Sequence, residues 1–271
     1  TYGVESGGDP KDIPGLTYEN FLAFHQKYYH PSNSYIYLYG NMDMAERLDY
    51  LDREYLSHYE EKKVDSEVKL QEPFAEIKHV AVEYPIGSDE NEAENAYLTY
   101  NATVGDTLDR ELYIAFQVLD YALCTAPGAP LKRALLEKSI GTDIYSIYEN
   151  GIKQPYFSIV SKNADEKQEK EFVETVEEVL GKIVKDGFDK KALYAALSHY
   201  EFKYREADFG STPKGLMYGL QMLDSWLYDD AKPFIHVEAN ATFAALKKKV
   251  EEGYFEELVK KYLIENTQKS I

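Results

Sequence analysis

"AYLTYNATV", residues 96–104, alternates apolar and polar side chains along its length. The apolar set comprises Ala96, Leu98, Tyr100, Ala102 and Val104, and the polar set comprises Thr99, Asn101 and Thr103. A repeat of two residues places the two sets on opposite faces of an extended chain. The sequence therefore predicts a β-strand over Ala96–Val104, and this is the clearest strand pattern in the chain.

The segments on the C-terminal side of this strand show helical and strand patterns in groups. A hairpin is predicted around Asn150 and Gly151, with strands over residues 143–149 and 156–161. Apolar residues at helical spacing predict helices over residues 108–123, 131–139, 172–184, 189–207, 213–228 and 239–265. This order predicts an α+β fold of two layers, in which helices pack on one face of a mainly antiparallel sheet.

The N-terminal part is predicted to form a helix, a strand and a second helix. Thr17 can cap a helix over Tyr18–Tyr29, because its hydroxyl can accept a hydrogen bond from the first turn. Tyrosines alternate with Ile and Leu in Ser34–Tyr39, which predicts a strand. Asp43 can cap the next helix, Met44–Tyr59.

A charged, weakly periodic segment that ends in proline, Glu60–Pro73, is the best linker candidate. The sequence after it, residues 77–85, predicts another strand. Thr212 is expected to cap the helix predicted over residues 213–228, with Pro213 at its first position. We predict four parts of the chain. The predicted limits are 1–62 for a first domain, 63–75 for a linker, 76–237 for a second domain and 238–271 for a helical end.

The chain is acidic, with 48 Asp and Glu residues against 30 Lys and Arg residues and a formal net charge of −18. This charge opposes binding to nucleic acid and favours basic peptides, although most acidic side chains are expected to be solvated surface. No apolar run reaches the ~20 residues of a spanning helix, so no membrane is expected as a partner. Cys124, the single cysteine, is expected to be a buried structural thiol, and a cytoplasmic location is expected.

The six histidines begin no H-E-x-x-H or H-x-x-E-H pattern. His25 and His30 lie five residues apart, about 140° around a helix, and cannot share a metal from one regular helix. A packing or capping role is expected for His25. His199 and Glu201 lie two residues apart on a predicted helix, so they point to different faces and a shared catalytic role is not expected.

Other common catalytic motifs are also missing from the sequence, including the G-x-S-x-G elbow, the Walker loop and the G-x-G-x-x-G fingerprint. Gly7 and Gly8 do not connect a strand to a helix, so they are interpreted as turn residues. The residues alone thus predict no catalytic residue and no metal ligand, and they assign no substrate-binding residue.

Three segments resemble the insulinase-type zinc metallopeptidases. Residues 6–43, SGGDPKDIPGLTYENFLAFHQKYYHPSNSYIYLYGNMD, resemble the end of the first domain in that family, and the SGGDP loop and HPSN turn favour its presequence-protease-like branch. APGAPLKRALLEKSIGTDIYS, residues 126–146, resembles a segment of the second domain. YFEELVKKYLIENTQKS, residues 254–270, resembles the segment that leads into a mid-protein helical linker.

The resemblance implies an internal fragment of a longer enzyme, in which four related α+β domains close around unfolded peptides. Residues 1–62 would be a helix–strand–helix remnant of the catalytic-type domain, and 76–237 would be the second, non-catalytic domain. The family holds zinc by two histidines of H-x-x-E-H and a later glutamate, which the resemblance places upstream of Thr1. Phe116, Leu119 and Asp120 would occupy the places of the motif's first histidine, glutamate and second histidine. The resemblance therefore implies zinc in the longer protein and none bound by this chain.

The function that follows is a non-catalytic wall and scaffold in a zinc endopeptidase for short or unfolded peptides. Expected partners are unfolded or basic peptides, the remaining domains of the same protein and, through an incomplete sheet at Ser34–Tyr39, a second copy of the chain. The alternative is a free-standing acidic peptide-binding module or an inactive partner subunit. An H-x-x-E-H motif in the reading frame before Thr1 would favour the enzyme.

Overall fold

The structure is a computed structural model that describes residue 3, residues 6–89, residue 91 and residues 93–271. The chain divides into two compact units, which we call unit 1 (Thr1–Lys69) and unit 2 (Leu70–Ile271). The division falls inside the segment 63–75 that the sequence predicts as a linker. The other predicted domain limits stay predictions.

Unit 1 contains two α-helices, α1 (Tyr18–Tyr28) and α2 (Met44–Glu54). Both begin as predicted, because the Thr17 hydroxyl accepts a hydrogen bond from the Asn20 amide at 3.2 Å and an Asp43 carboxylate oxygen accepts one from the first turn of α2. The second helix ends earlier than predicted and is followed by a short 3₁₀ turn, Leu56–His58.

The strand predicted over Ser34–Tyr39 is wrong, since these residues have no regular secondary structure. A strand is stable when a neighbouring strand takes up its backbone N–H and C=O groups, and the sheet of this chain is built from residues of unit 2. Within the described part of unit 1, no residue is buried. Periodicity alone therefore overestimated order in this segment.

Unit 2 contains a sheet of four strands in the order β2-β3-β1-β4. The strands are β1 (Ala96–Thr103), β2 (Asp143–Glu149), β3 (Tyr156–Ala164) and β4 (Lys269–Ser270). Each neighbouring pair is antiparallel. The strand prediction for Ala96–Val104 and the predicted hairpin are confirmed, whereas the two-residue β4 was too short for a pattern to indicate.

The strand predicted over residues 77–85 is reduced to an isolated bridge. Lys78 pairs with Ser270 in parallel orientation, and the Lys78 amide donates a hydrogen bond to the Lys269 carbonyl at 3.0 Å. The Val80 amide donates to the Ile271 carbonyl at 2.9 Å. This segment thus contacts the edge of the sheet at β4 without becoming a regular strand.

The helices of unit 2 lie mostly where the sequence predicts them. They are α3 (Arg110–Asp120), α4 (Pro130–Glu137), α5 (Glu169–Asp186), α6 (Lys190–Glu206), α7 (Lys214–Trp226), α8 (Asn240–Lys249) and α9 (Tyr254–Leu258). The single helix predicted over residues 239–265 is wrong, because Gly253 has a left-handed φ of 76° and separates α8 from α9. Pro213 immediately precedes α7 without a side-chain cap, so the predicted capping role of Thr212 is also wrong.

The core of unit 2 lies between helices and one face of the sheet. Tyr100 of β1 faces this side, and its hydroxyl donates a hydrogen bond to the Leu263 carbonyl at 2.6 Å. The rings of Phe116 in α3 and Phe157 in β3 meet edge to face with centroids 6.0 Å apart. These contacts place the helices against a mainly antiparallel sheet and confirm the α+β fold class.

Candidate functional site

A cavity of about 350 Å³ lies in unit 2 beside the last turn of α3. Its volume is in the range of small-ligand pockets, roughly 300–1,000 Å³. Aromatic side chains from β2, α6, the loop after α6 and α7 form much of its wall: Tyr148, Tyr200, Tyr204, Phe209 and Tyr218. We call it the α3–α6–α7 cavity.

Helical spacing explains how two elements present side chains to this cavity. Tyr200, Lys203 and Tyr204 occupy positions i, i+3 and i+4 of α6, so they lie on one face of that helix. Gln117 and Asp120 lie three residues apart on α3 and share a face for the same reason. The cavity therefore combines two helix faces that carry aromatic, amide and charged groups.

Asp120 is the most unusual polar group in the wall. Its Oδ1 atom is buried and accepts no hydrogen bond from the part of the chain that the structure describes. Burial raises the pKa of Asp120, and the Ser146 hydroxyl acts in the opposite direction. Asp120 thus contributes a largely buried carboxyl group to the α3 side of the cavity wall.

The other charged groups of the cavity already have contacts. An Asp208 carboxylate oxygen accepts a hydrogen bond from the Gly210 amide at 3.0 Å. The Lys203 ammonium lies 5.7 Å from the ring centroid of Tyr200, within the range of a cation–π contact. One tyrosine face of the cavity is thus already used by a cation.

Three tyrosine hydroxyls of the wall, those of Tyr148, Tyr200 and Tyr204, stay neutral at physiological pH. Burial raises the pKa of Tyr204 to about 12 and raises the pKa of Tyr148 and Tyr200 well above their usual range. The Tyr204 hydroxyl lies 3.4 Å from the side-chain amide of Gln117. The wall therefore offers neutral rings and hydroxyls around the Asp120 carboxyl group.

The N-terminal histidines lie outside this site. His25 is exposed on α1 and its ring stacks on Tyr29 with centroids 4.5 Å apart. His30 Nδ1 accepts a hydrogen bond from the Ser32 amide at 3.2 Å, so the capping role belongs to His30. His25 is thus an exposed residue with one ring contact, and the packing or capping role expected for it stays a prediction.

The structure separates His199 from Glu201 as the sequence predicts. The His199 ring stacks on Tyr121 with centroids 4.8 Å apart, and burial lowers the pKa of His199. Glu201 accepts a hydrogen bond from Arg205 at 2.7 Å and pairs with Lys247. These contacts give Glu201 a structural role as an ion-pair partner.

Cys124 is buried as predicted, and burial raises the pKa of its thiol to about 12. A thiol with such a pKa is protonated at neutral pH and is a poor nucleophile. Gly8 has a left-handed φ of 87° in the loop before α1, as a turn residue would.

The residues that the resemblance aligns with a zinc motif do not fit zinc. Phe116 and Leu119 are fully buried in the hydrophobic core, and Asp120 alone reaches the α3–α6–α7 cavity. Among the residues that the structure describes, no three His, Cys, Asp or Glu side chains come together in a way that could hold a metal ion. Metal chemistry is therefore not assigned to any residue of this segment.

Two buried polar residues were missed by the sequence analysis. Lys269 is 1% exposed, and its ammonium donates to the Tyr100 hydroxyl at 2.8 Å and to the Ile264 carbonyl at 2.9 Å. His236 is fully buried, and its ring stacks on Tyr113 with centroids 3.7 Å apart. No local pattern marks either residue, because Tyr100 and Tyr113, the rings that Lys269 and His236 contact, are distant from them in sequence. The spacing of Tyr200, Lys203 and Tyr204 was the one visible signal for the cavity.

No helix formed by the described residues has the length and apolar character that a membrane crossing requires.

Two curated relatives are similar to this chain over its whole length. Protein HypA of Clostridium perfringens is 42% identical over 270 residues, which cover 100% of this chain and 28% of the relative. Presequence protease 1, chloroplastic/mitochondrial, of Arabidopsis thaliana is 36% identical over 277 residues, which cover 99% of this chain and 26% of the relative. The chain thus spans only 28% and 26% of the lengths of these two relatives.

Solved structures share the fold at lower sequence identity. The peptidase M16 inactive domain from Pseudomonas fluorescens has a TM-score of 0.64 and 19% identity, covering 98% of this chain and 59% of that one. An M16-like peptidase from Alicyclobacillus acidocaldarius has a TM-score of 0.61 and 17% identity, covering 98% of this chain and 60% of that one. Residues 15–200, more than half of the chain, match the family model of the peptidase M16 inactive domain. The resemblance to insulinase-type peptidases is thereby confirmed, and the chain belongs to the peptidase M16 inactive-domain family.

Proposed function

We propose that this chain forms part of the wall and scaffold of a peptide chamber in a longer zinc endopeptidase that degrades short or unfolded peptides. In this proposal the zinc, the general base and the other catalytic groups belong to other parts of the longer protein. The remaining domains of that protein are the partners of this chain, and unfolded or basic peptides are its substrates.

The match to the inactive-domain family is the observation that carries the proposal. The Arabidopsis relative is a presequence protease, which supports peptides as the substrate class. A net charge of −18 would favour substrates that carry basic residues.

A comparison of the chain with the longer protein tests this proposal. We expect the purified chain to hold no stoichiometric zinc by elemental analysis and to leave a quenched fluorescent unstructured peptide intact. The protein encoded by the full reading frame should cleave that peptide and lose activity with a chelator. Chelator-sensitive cleavage by this chain alone would contradict the proposal.

The alternative function is a free-standing acidic peptide-binding module or inactive partner subunit, which the net charge of −18 also favours. In that case the full reading frame would bind basic peptides without cleaving them. Association of two copies through unit 1 stays a prediction, and sedimentation of the chain with and without residues 1–69 would test it. The cytoplasmic location also stays a prediction.

A further inference from the structure

The α3–α6–α7 cavity has no assigned ligand, and its walls are chemically selective. It combines aromatic faces, two glutamine side chains and the carboxyl groups of Asp120 and Asp208. These groups suit a ligand that is planar, rich in N–H donors and positively charged. The guanidinium group has all three properties.

We propose that the α3–α6–α7 cavity binds the arginine side chain of a peptide. The guanidinium plane stacks against the tyrosine rings of the wall, and its N–H groups donate to Asp120. The amide oxygens of Gln117 and Gln221 accept the remaining donors. The inference rests on the proposed function, because it names the side chain by which the non-catalytic unit would hold a peptide.

An arginine fits this cavity better than a lysine does. An ammonium is a compact, strongly hydrated charge, whereas a guanidinium is weakly hydrated and can use several ring faces and a carboxylate at once. The cavity volume of about 350 Å³ leaves room for the whole side chain. Burial of the apolar stem against Tyr148 and Phe209 would add to the contact.

Lys203 opposes a cationic ligand and provides a distinguishing test. Its ammonium lies 5.7 Å from the Tyr200 ring centroid, so it competes for one aromatic face and repels a second cation. An anionic ligand would instead need Lys203. The two acidic groups of the wall, Asp120 and Asp208, favour the cation over the anion.

The experiment is calorimetric titration of the full chain with the peptide acetyl-Ala-Arg-Ala-amide. The same peptide with citrulline in place of arginine is the ligand control, because citrulline has nearly the same shape and no charge. Asp120→Asn keeps the shape of the side chain and should weaken arginine-peptide binding about tenfold or more. Asp186→Asn, an exposed carboxylate at the end of α5, is the protein control and should bind as the unaltered chain does.

Lys203→Met is the second variant, and because it replaces an exposed side chain of α6 the variant is expected to fold. It should strengthen binding of the arginine peptide several-fold. The proposal is overturned if the citrulline peptide binds equally well, if Asp120→Asn binds as tightly as the unaltered chain, or if Lys203→Met weakens binding. Cleavage by the longer protein is measured separately, so the arginine site and the proposed peptidase role can fail independently.

Discussion

Helices α1 of unit 1 and α3 of unit 2 are equally long, 11 residues each, and both have a side-chain N-cap. Seven residues of α3 are buried, whereas α1 has no buried residue. Phe24 in α1 is 59% exposed and Phe116 in α3 is 0% exposed. Caps and helical spacing thus fix where a helix forms, and only a neighbouring sheet fixes whether its apolar face is buried.

Because of this difference in burial, we expect unit 1 to be less stable against unfolding than unit 2. Most of the stability of a short helix in a protein comes from packing of its apolar face. Helix α3 has that packing through Phe116, which meets both Phe157 and Tyr148. Helix α1 has no such packing, and its Phe24 ring meets Tyr28 of the same helix with centroids 4.9 Å apart.

The largest expected difference comes from truncating the matched phenylalanines. Phe116→Ala should lower the free energy of unfolding by about 3–5 kcal/mol, because it removes a fully buried ring from a packed core. Phe24→Ala should change it by less than about 0.5 kcal/mol. Urea titrations monitored by circular dichroism would measure both. Equal losses in the two variants would break the comparison between the units.

The same contrast explains how far the sequence could predict this molecule. Local signals were sufficient for the helix starts at Thr17 and Asp43 and for strand β1. They failed at Ser34–Tyr39, where apolar residues alternate but the residues do not belong to a strand of the sheet. They also failed at Gly253, where one residue with a left-handed φ divides a continuous apolar pattern into two helices.

The candidate site could not be predicted because it depends on contacts between distant segments. Asp120 and Gln221 line one cavity although about a hundred residues separate them in sequence. Lys269 contacts Tyr100, and no spacing rule connects two such positions. Fold class follows from local periodicity and family resemblance, whereas a cavity follows from the packing of three helices.

The second prediction concerns His236, a buried histidine of unit 2 that should make the stability of this unit depend on pH. Burial lowers the pKa of His236 to about 4. The unfolded chain therefore takes up a proton at this residue before the folded chain does, and its contribution to stability falls as the pH decreases from about 6.5 to about 4. The free energy of unfolding should lose about 3 kcal/mol of this contribution in total.

In the unaltered protein, protonation of Asp224 offsets the loss of stability that His236 causes. Burial raises its pKa to about 6, while the Tyr113 hydroxyl, 2.8 Å from its Oδ2 atom, acts in the opposite direction. Protonation of Asp224 therefore stabilises the fold as the pH falls through 6. The test is a comparison of the unaltered chain with His236→Phe at pH 7 and pH 4. The variant should gain about 3 kcal/mol of relative stability at pH 4, and parallel profiles would contradict the assignment.

The third prediction concerns Lys269, which is buried in unit 2, whereas every lysine of unit 1 is exposed. Lys269→Met keeps most of the volume but removes the donors to the Leu263 and Ile264 carbonyls, so it should destabilise the fold by about 2 kcal/mol. Lys27→Met on the exposed α1 is the matched control and should have no measurable effect. Thermal unfolding would compare them, and a neutral Lys269→Met would show that the buried ammonium contributes no net stability.

The smallest expected effect comes from removing the N-cap side chains of α3 in unit 2 and α1 in unit 1. Asp109 Oδ1 accepts hydrogen bonds from the Glu111 amide at 3.1 Å and the Leu112 amide at 3.0 Å, and Asp109→Ala should lower the free energy of unfolding by about 1 kcal/mol. Thr17→Ala removes the equivalent bond of α1, yet α1 has no buried face that links it to a cooperative core.

The Thr17→Ala change should therefore leave the urea midpoint of unit 2 unaltered and instead accelerate hydrogen exchange at the Asn20 amide. In Asp109→Ala two effects should occur at once, because α3 is expected to unfold with the sheet. The Leu112 amide should exchange faster, and the urea midpoint should fall. A fall of the urea midpoint in Thr17→Ala as large as that in Asp109→Ala would mean that α1 unfolds with the core. That result would remove the difference in cooperativity between two helices of equal length.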